Sequence, residues 1–119
     1  KNKIPFINED ILMSKALKIM TEKKLGTLIA QNKKKITTGI ITDGQIRKLN
    51  SRNIAMNLLK VKDVMTKNPI KIEKNTLATK ALSIMNEKKI TSLCVYDQKK
   101  KSTTIGIVHV HNILNKKIY

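Results

Sequence analysis

The sequence predicts a mixed α/β (α+β) fold of two β-α-β-β-α repeats packed about a pseudo-twofold axis. Three observations predict it. First, the chain contains one unit twice: Lys15–Leu28 aligns without a gap on Lys80–Leu93 at an offset of 65 residues, with nine of fourteen positions identical, and a repeat of this kind decides the architecture before any local pattern does. Second, each copy carries one apolar stripe at helical spacing. Third, short apolar segments bounded by polar turns flank each stripe, as strands do.

The elements follow in order. Ile4 to Ile7 and Ile70 to Ile72 read as the first strand of each copy. Met13, Ala16, Leu17 and Met20, and again Ala78, Ala81, Leu82 and Met85, fall at i, i+3, i+4 and i+7 and give a helix one face to bury. Methionine stripes of this kind fill cores, since the unbranched thioether adapts to irregular gaps. Asp10 and Asn75 precede these helices and are suited to N-capping them. Thr27 to Ala30 and Ser92 to Tyr96 read as second strands, Ile36 to Ile41 and Thr104 to Val108 as third strands, and Gln45 to Leu49 and His111 to Lys116 as short closing helices. Between second and third strands the lysine runs Lys33–Lys35 and Lys99–Lys101 read as solvated hairpin turns. Gly39-Ile-Ile-Thr matches Gly106-Ile-Val-His at an offset of 67, so the hairpin of copy two is two residues longer.

Residues 1–50 are read as repeat one, 51–60 as a linker and 61–119 as repeat two. In the linker Ile54, Met56, Leu58 and Leu59 are expected to dock one helical turn, and Val61-Lys-Asp-Val-Met-Thr66 is a short helical lead into copy two. The matching lead of copy one would fall before Lys1, so the chain is expected to be part of a longer protein. Neither copy is large enough to bury its apolar faces well alone, which is why the two are expected to pack together.

Composition narrows the function. The formal charge is +17, yet of the 25 basic residues only Arg47 and Arg52 are arginine. A phosphate- or base-reading surface favours Arg, whose planar fork binds bidentately, so nucleic acid is not the expected partner. No apolar run approaches the roughly 18 residues that span a bilayer, no leader is apparent, and the lone Cys94 sits in an apolar run where a buried, unreactive thiol is expected. The expected location is cytoplasmic. The eight acidic residues are scattered near caps, turns and helix faces, so no catalytic constellation is expected and the chain is read as non-enzymatic.

Val61-Lys-Asp-Val-Met-Thr-Lys-Asn-Pro69, the two Ala-Leu-x-Ile-Met helices and the Gly39-Ile-Ile-Thr strand end together resemble a tandem pair of cystathionine-β-synthase-type (CBS) domains, over nearly the whole chain. More narrowly, Gly39-Ile-Ile-Thr-Asp-Gly-Gln-Ile-Arg47 is similar to the G-I-F-T-D-G-D-L-R segment of D-arabinose-5-phosphate isomerases. Lys89-Ile-Thr-Ser-Leu93 and Gly106-Ile-Val-His-Val-His-Asn-Ile-Leu114 are similar to that family's K-I-T-S-L and G-V-L-H-x-H-D-L-L. The resemblance implies the regulatory pair appended to a sugar-isomerase domain that interconverts ribulose 5-phosphate and arabinose 5-phosphate. That reaction supplies Kdo for lipopolysaccharide. It also implies homo-oligomers, no obligatory cofactor, and a small anionic effector such as a nucleotide or CMP-Kdo. An adenine-nucleotide sensor of another host protein, or a purely structural oligomerisation module, are the alternatives.

The resemblance also implies clefts between the copies, lined by the first strand and the turn into the last helix. The candidate ligand residues are Pro5, Phe6, Thr27, Thr42, Asp43 and Gln45 in copy one and Ile70, Lys71, Ile72, Thr91, Ser92, His109, His111 and Asn112 in copy two. Thr42 lies where a strand meets a helix N-terminus; it either donates to an anion there or simply caps the helix. CBS nucleotide sites usually place an Asp three residues after that Thr, to accept from ribose hydroxyls; here Gln45 and Asn112 stand instead, and an amide offers one uncharged acceptor. His109 and His111 would share one face if the last strand continued past them, and are read as anion donors rather than metal ligands, no Cys or carboxylate completing a site.

Overall fold

Alternating short strands and one long amphipathic helix per copy fold as the repeat demands. The computed structural model describes residues 4–52 and 55–115, and divides into two units between Asn68 and Pro69. In the first unit β1 (Phe6–Asn8), α1 (Met13–Glu22), β2 (Thr27–Gln31), β3 (Thr37–Thr42) and α2 (Asp43–Ser51) are followed by a 3₁₀ turn (Met56–Leu58), α3 (Val61–Val64) and β4 (Thr66–Lys67). The second unit holds β5 (Lys71–Glu73), α4 (Ala78–Lys88), β6 (Ser92–Asp97), β7 (Lys100–His109) and α5 (Val110–Asn115). Both are therefore β-α-β-β-α units.

The sheets run β1-β2-β3-β4 and β5-β6-β7, the first pair in each parallel and the hairpin antiparallel. Register repeats with sequence: Thr27 faces Thr42 and Ala30 faces Gly39, while Ser92 faces His109 and Val95 faces Gly106. Each sheet packs its inner side on the stripe of its helix. Met13, Ala16 and Met20 join Leu28, Ile41 and Ile46 in one core, and Ala81 and Met85 join Ile72 and Leu93 in the other. At 25 cal/mol for each Å² of apolar surface removed from water, a fully buried side chain of this size contributes roughly 1.5–3 kcal/mol. The stripe is what holds helix to sheet.

Both long helices end alike. Lys24 and Lys89 take the left-handed conformation (φ 54° and 56°), and the next amide reaches back to the helix: Leu25 N to Met20 O and Ile90 N to Met85 O, each 2.9 Å. This is the Schellman geometry, which glycine fills most cheaply; here a lysine holds it twice.

Several local expectations are corrected. Asp10 and Asn75 do not cap: α1 and α4 begin after Leu12 and Leu77, with no side-chain cap. Each candidate sits two residues too early, in a turn whose amide donates back to Asn8 Oδ1 (2.8 Å) or Glu73 Oε1 (2.7 Å), and Asp10 instead pairs with Lys62 at 3.1 Å. Lys100 and Lys101 belong to β7, which starts four residues before Thr104, because Asp97 still pairs with Lys100 across a bulged hairpin. In the linker Met56 and Leu59 pack on the first core, but Leu58 is 78% exposed; Ile54 and Lys116 lie outside the described residues.

The lead Val61–Thr66 is bound to the first unit. Val61 N donates to Ile11 O (2.8 Å), Lys62 N to Glu9 O (2.9 Å), and Met13 N to Leu59 O (2.7 Å). Val61 is fully buried in the first core. Thr66 and Lys67 then pair with Ile40 and Gly39, adding a fourth strand that the second sheet lacks among the described residues. Met65 crosses directly over Gly39, where a Cβ would stand 2.6 Å from Met65 Cγ.

Candidate functional site

In each unit the chain turns from its third repeat strand (β3 or β7) into the closing helix of the repeat (α2 or α5) beside the start of the second strand (β2 or β6). The backbone fixes this junction the same way twice: Asp43 N donates to Gly26 O (3.0 Å) and Val110 N to Thr91 O (2.8 Å). Thr27, Thr42 and Gln45 are thereby gathered in the first unit, and Thr91, Ser92 and His109 in the second.

The first junction is closed by its own hydrogen bonds. Thr42 caps α2 in a reciprocal box: its hydroxyl accepts from Gln45 N (3.4 Å), and Gln45 Oε1 accepts from Thr42 N (2.8 Å). Gln45 Nε2 donates to Val64 O (3.3 Å) and Thr66 Oγ1 (2.9 Å), tying the helix start to the lead. The single amide carbonyl that could have accepted from a sugar hydroxyl is engaged by the backbone. Sequence reasoning missed Val64 and Thr66 as its partners, although the lead itself was legible. Asp43, at the first position of α2, pairs with Arg47 one turn on at 3.4 Å, both exposed.

At the second junction His109 occupies the position of Thr42, as the offset of 67 requires, facing Ser92 across the hairpin. His111 does not share its face. The amide of Val110 bonds to Thr91 O and starts α5, so the two-residue strand period ends at His109 and His111 lies exposed on a helix. Asn112 is the third residue of that helix. Among the described residues no group of three or more His, Cys, Asp or Glu side chains comes together to hold a metal.

The first strands stand further along the sheets. Pro5 O accepts from Ile29 N (2.9 Å) and Ile70 O from Cys94 N (3.2 Å), each two residues beyond the junction. Phe6 is half-buried opposite Ile29, Ile72 is buried in the second core, and Thr27 and Ser92 are buried. Lys71 Nζ donates to Lys101 O at 2.9 Å and lies 5.2 Å from the centre of the Tyr96 ring. Cys94, beside Lys71 on the neighbouring strand, is buried, and desolvation pushes its thiol pKa up, against a hydrogen bond with Thr104 and the nearby Lys71 charge.

A cavity of about 690 Å³ opens beside α4 in the second unit. Its base is apolar, with Leu82, Met85 and Ile90, and its rim carries side chains from the solvent face of α4 that sequence reasoning had not singled out. The polar spacing Thr79, Ser83, Asn86 (i, i+4, i+7) was the available signal.

The CBS domain family matches residues 1–52 and 61–118. Over 112 residues the chain is 38% identical to an arabinose 5-phosphate isomerase, KdsD, of Yersinia pestis, covering 93% of this chain and 33% of that protein; the chain thus spans about a third of the length of the curated relatives it matches. A CBS domain protein of Pyrobaculum aerophilum complexed with AMP superposes with a TM-score of 0.84 at 11% identity, covering 98% of this chain and 92% of that one. The CBS domain pair of protein MJ0100, in complex with 5-methylthioadenosine and S-adenosylmethionine, gives 0.84 at 21% identity, over 98% and 90%. No helix among the described residues is long and apolar enough to cross a membrane.

Proposed function

Because the chain belongs to the CBS domain family, we propose that it is the ligand-sensing regulatory pair of a cytoplasmic, oligomeric D-arabinose-5-phosphate isomerase, and that it binds an anionic nucleotide or nucleotide sugar. The sugar-isomerase domain would lie in the same polypeptide and serve Kdo and lipopolysaccharide synthesis. The observation that carries this reading is the 38% identity with an arabinose 5-phosphate isomerase along 93% of the chain.

The junctions support an anion over a neutral nucleoside. Thr42 and His109 end their strands at the start of a helix, where the helix dipole favours negative charge. The chain's charge of +17 strengthens that preference at long range. Gln45 brings no carboxylate to the first junction and its carbonyl is engaged by Thr42 N, so a ribose diol finds no charged acceptor from that residue. CMP-Kdo, a pathway product with phosphate and carboxylate, is the effector that fits this balance. The two adenine-bound relatives in fold favour a second reading, an adenine-nucleotide sensor.

Thermal unfolding of the chain with CMP-Kdo, CMP, AMP and ATP separates them. A ligand at a hundred times its dissociation constant adds about 2.7 kcal/mol, a plain rise in Tm. A rise with CMP-Kdo alone supports feedback sensing; a rise only with AMP or ATP establishes the adenine reading; no rise with any of them removes ligand sensing at these junctions.

A further inference from the structure

The cavity beside α4 has a chemistry of its own. Thr79, Ser83 and Asn86 line up on one face of the helix, and Lys89 closes its C-terminal end. Thr91 supplies a third hydroxyl from the start of β6. Among the described residues no carboxylate lines the space, and its volume of about 690 Å³ falls within the range of small-molecule sites. Three hydroxyls and an amide can exchange hydrogen bonds with a polyol; one ammonium, held at a fixed left-handed residue, can meet a phosphate. The apolar base of Met85 and Ile90 accepts the C–H face of a sugar.

The other copy shows which of these features the repeat does not dictate. By the same offsets Lys18 stands for Ser83, Gly26 for Thr91 and Asp43 for Val110. The first unit thus keeps a hydroxyl at Ser14, loses those of Ser83 and Thr91, gains one where Thr21 stands for Asn86, and puts an acid, Asp43, in the place of Val110. The fold is shared while the ligand chemistry is not.

We propose that this cavity binds a small phosphorylated polyol of pentose-phosphate size, with Lys89 on the phosphate and Thr79, Ser83 and Asn86 on the hydroxyls. This is a second effector site, which meets the junction only at Thr91 and Val110. A sugar phosphate that the parent enzyme handles and a sugar phosphate from elsewhere are alike in this chemistry, so arabinose 5-phosphate and glucose 6-phosphate both serve as probes.

Titrating arabinose 5-phosphate into the ¹⁵N-labelled chain should shift the amides of Thr79, Ser83, Asn86 and Lys89. Lys89→Gly removes the ammonium at a backbone position that glycine suits, and should weaken binding at least about tenfold, 1.4 kcal/mol. Lys24→Gly, the same change in the other copy, should leave affinity as it was. Unphosphorylated arabinose should bind far more weakly, and inorganic phosphate more weakly than the sugar phosphate. Preference for arabinose 5-phosphate over glucose 6-phosphate would tie the site to the isomerase, and equal binding would make it a general sugar-phosphate site; both support the proposal. Unchanged affinity in Lys89→Gly, an equal loss in Lys24→Gly, or no shifts at millimolar sugar phosphate overturns it. Binding of CMP-Kdo or AMP should be untouched by Lys89→Gly, so this site and the junctions stand or fall separately.

Discussion

Replacing Gly39 by alanine tests how tightly the lead locks onto the first sheet. The new Cβ would stand 2.6 Å from Met65 Cγ and 2.9 Å from Met65 Cβ. A flexible sulfur could swing aside, but Cβ and Cγ lie close to the main chain. Met65 is held between α3 and β4, which the pairs Gly39–Lys67 and Ile40–Thr66 fix to β3, so relief requires the strand itself to shift. Overpacking of this kind costs about 1–3 kcal/mol, offset by the roughly 0.5–1 kcal/mol that alanine gains over glycine in chain entropy. The net loss expected for Gly39→Ala is about 1–2 kcal/mol. Gly106, its counterpart, meets Val95 Cβ at 3.7 Å and Val95 Cγ2 at 4.0 Å, ordinary contact, so Gly106→Ala should be neutral or stabilising by up to about 0.5 kcal/mol. Urea unfolding of both variants measures the difference. Adding Met65→Ala to Gly39→Ala should recover much of its loss, a coupling that a double-mutant cycle isolates. Equal stabilities for the two alanine variants, or no coupling to Met65, would refute the reasoning.

Lys24→Gly and Lys89→Gly should each stabilise the chain by about 0.5–1 kcal/mol, since a side chain in the left-handed region is strained and glycine is not; thermal unfolding reads it. Gln45→Ala removes the reciprocal cap and the bonds to Val64 and Thr66, and should cost about 1–2 kcal/mol, measured by urea titration. Cys94 should resist alkylation by iodoacetamide in the folded chain and react once urea unfolds it. Its folded pKa lies above its unfolded value of about 9.0, so the thiol's contribution is intact below pH 9 and declines as pH rises from there to the folded value. Cys94→Ala should flatten that alkaline fall in stability.

Helices and hairpins were readable because their signals are local. The stripe Met13–Ala16–Met20 states its own period, and the 65-residue repeat checks each element against its twin. The caps escape the sequence because Asp10 and Asn75 have the right chemistry two residues too early, in turns where their amides donate to Asn8 Oδ1 and Glu73 Oε1. His109 and His111 diverge because Val110 bonds to Thr91 O, a contact spanning 19 residues that alternation cannot announce. Gln45 is legible in the sequence as the departure from a charged acceptor. That its amide is engaged by Thr42, Val64 and Thr66 depended on where the lead docks, which is tertiary information.

The docking of that lead has an evolutionary consequence. The duplication unit and the folding unit are out of phase: the strand that completes the first sheet, and the Val61 side chain that seals its core, are encoded with the second copy. A deletion or recombination at the repeat boundary would not release an intact ancestral module. It would expose Ile11 and Met13 beneath Val61 and leave Gln45 without two partners. The dependence runs one way: losing copy two together with its lead would damage copy one, so the first copy can be inherited intact only with the start of the second.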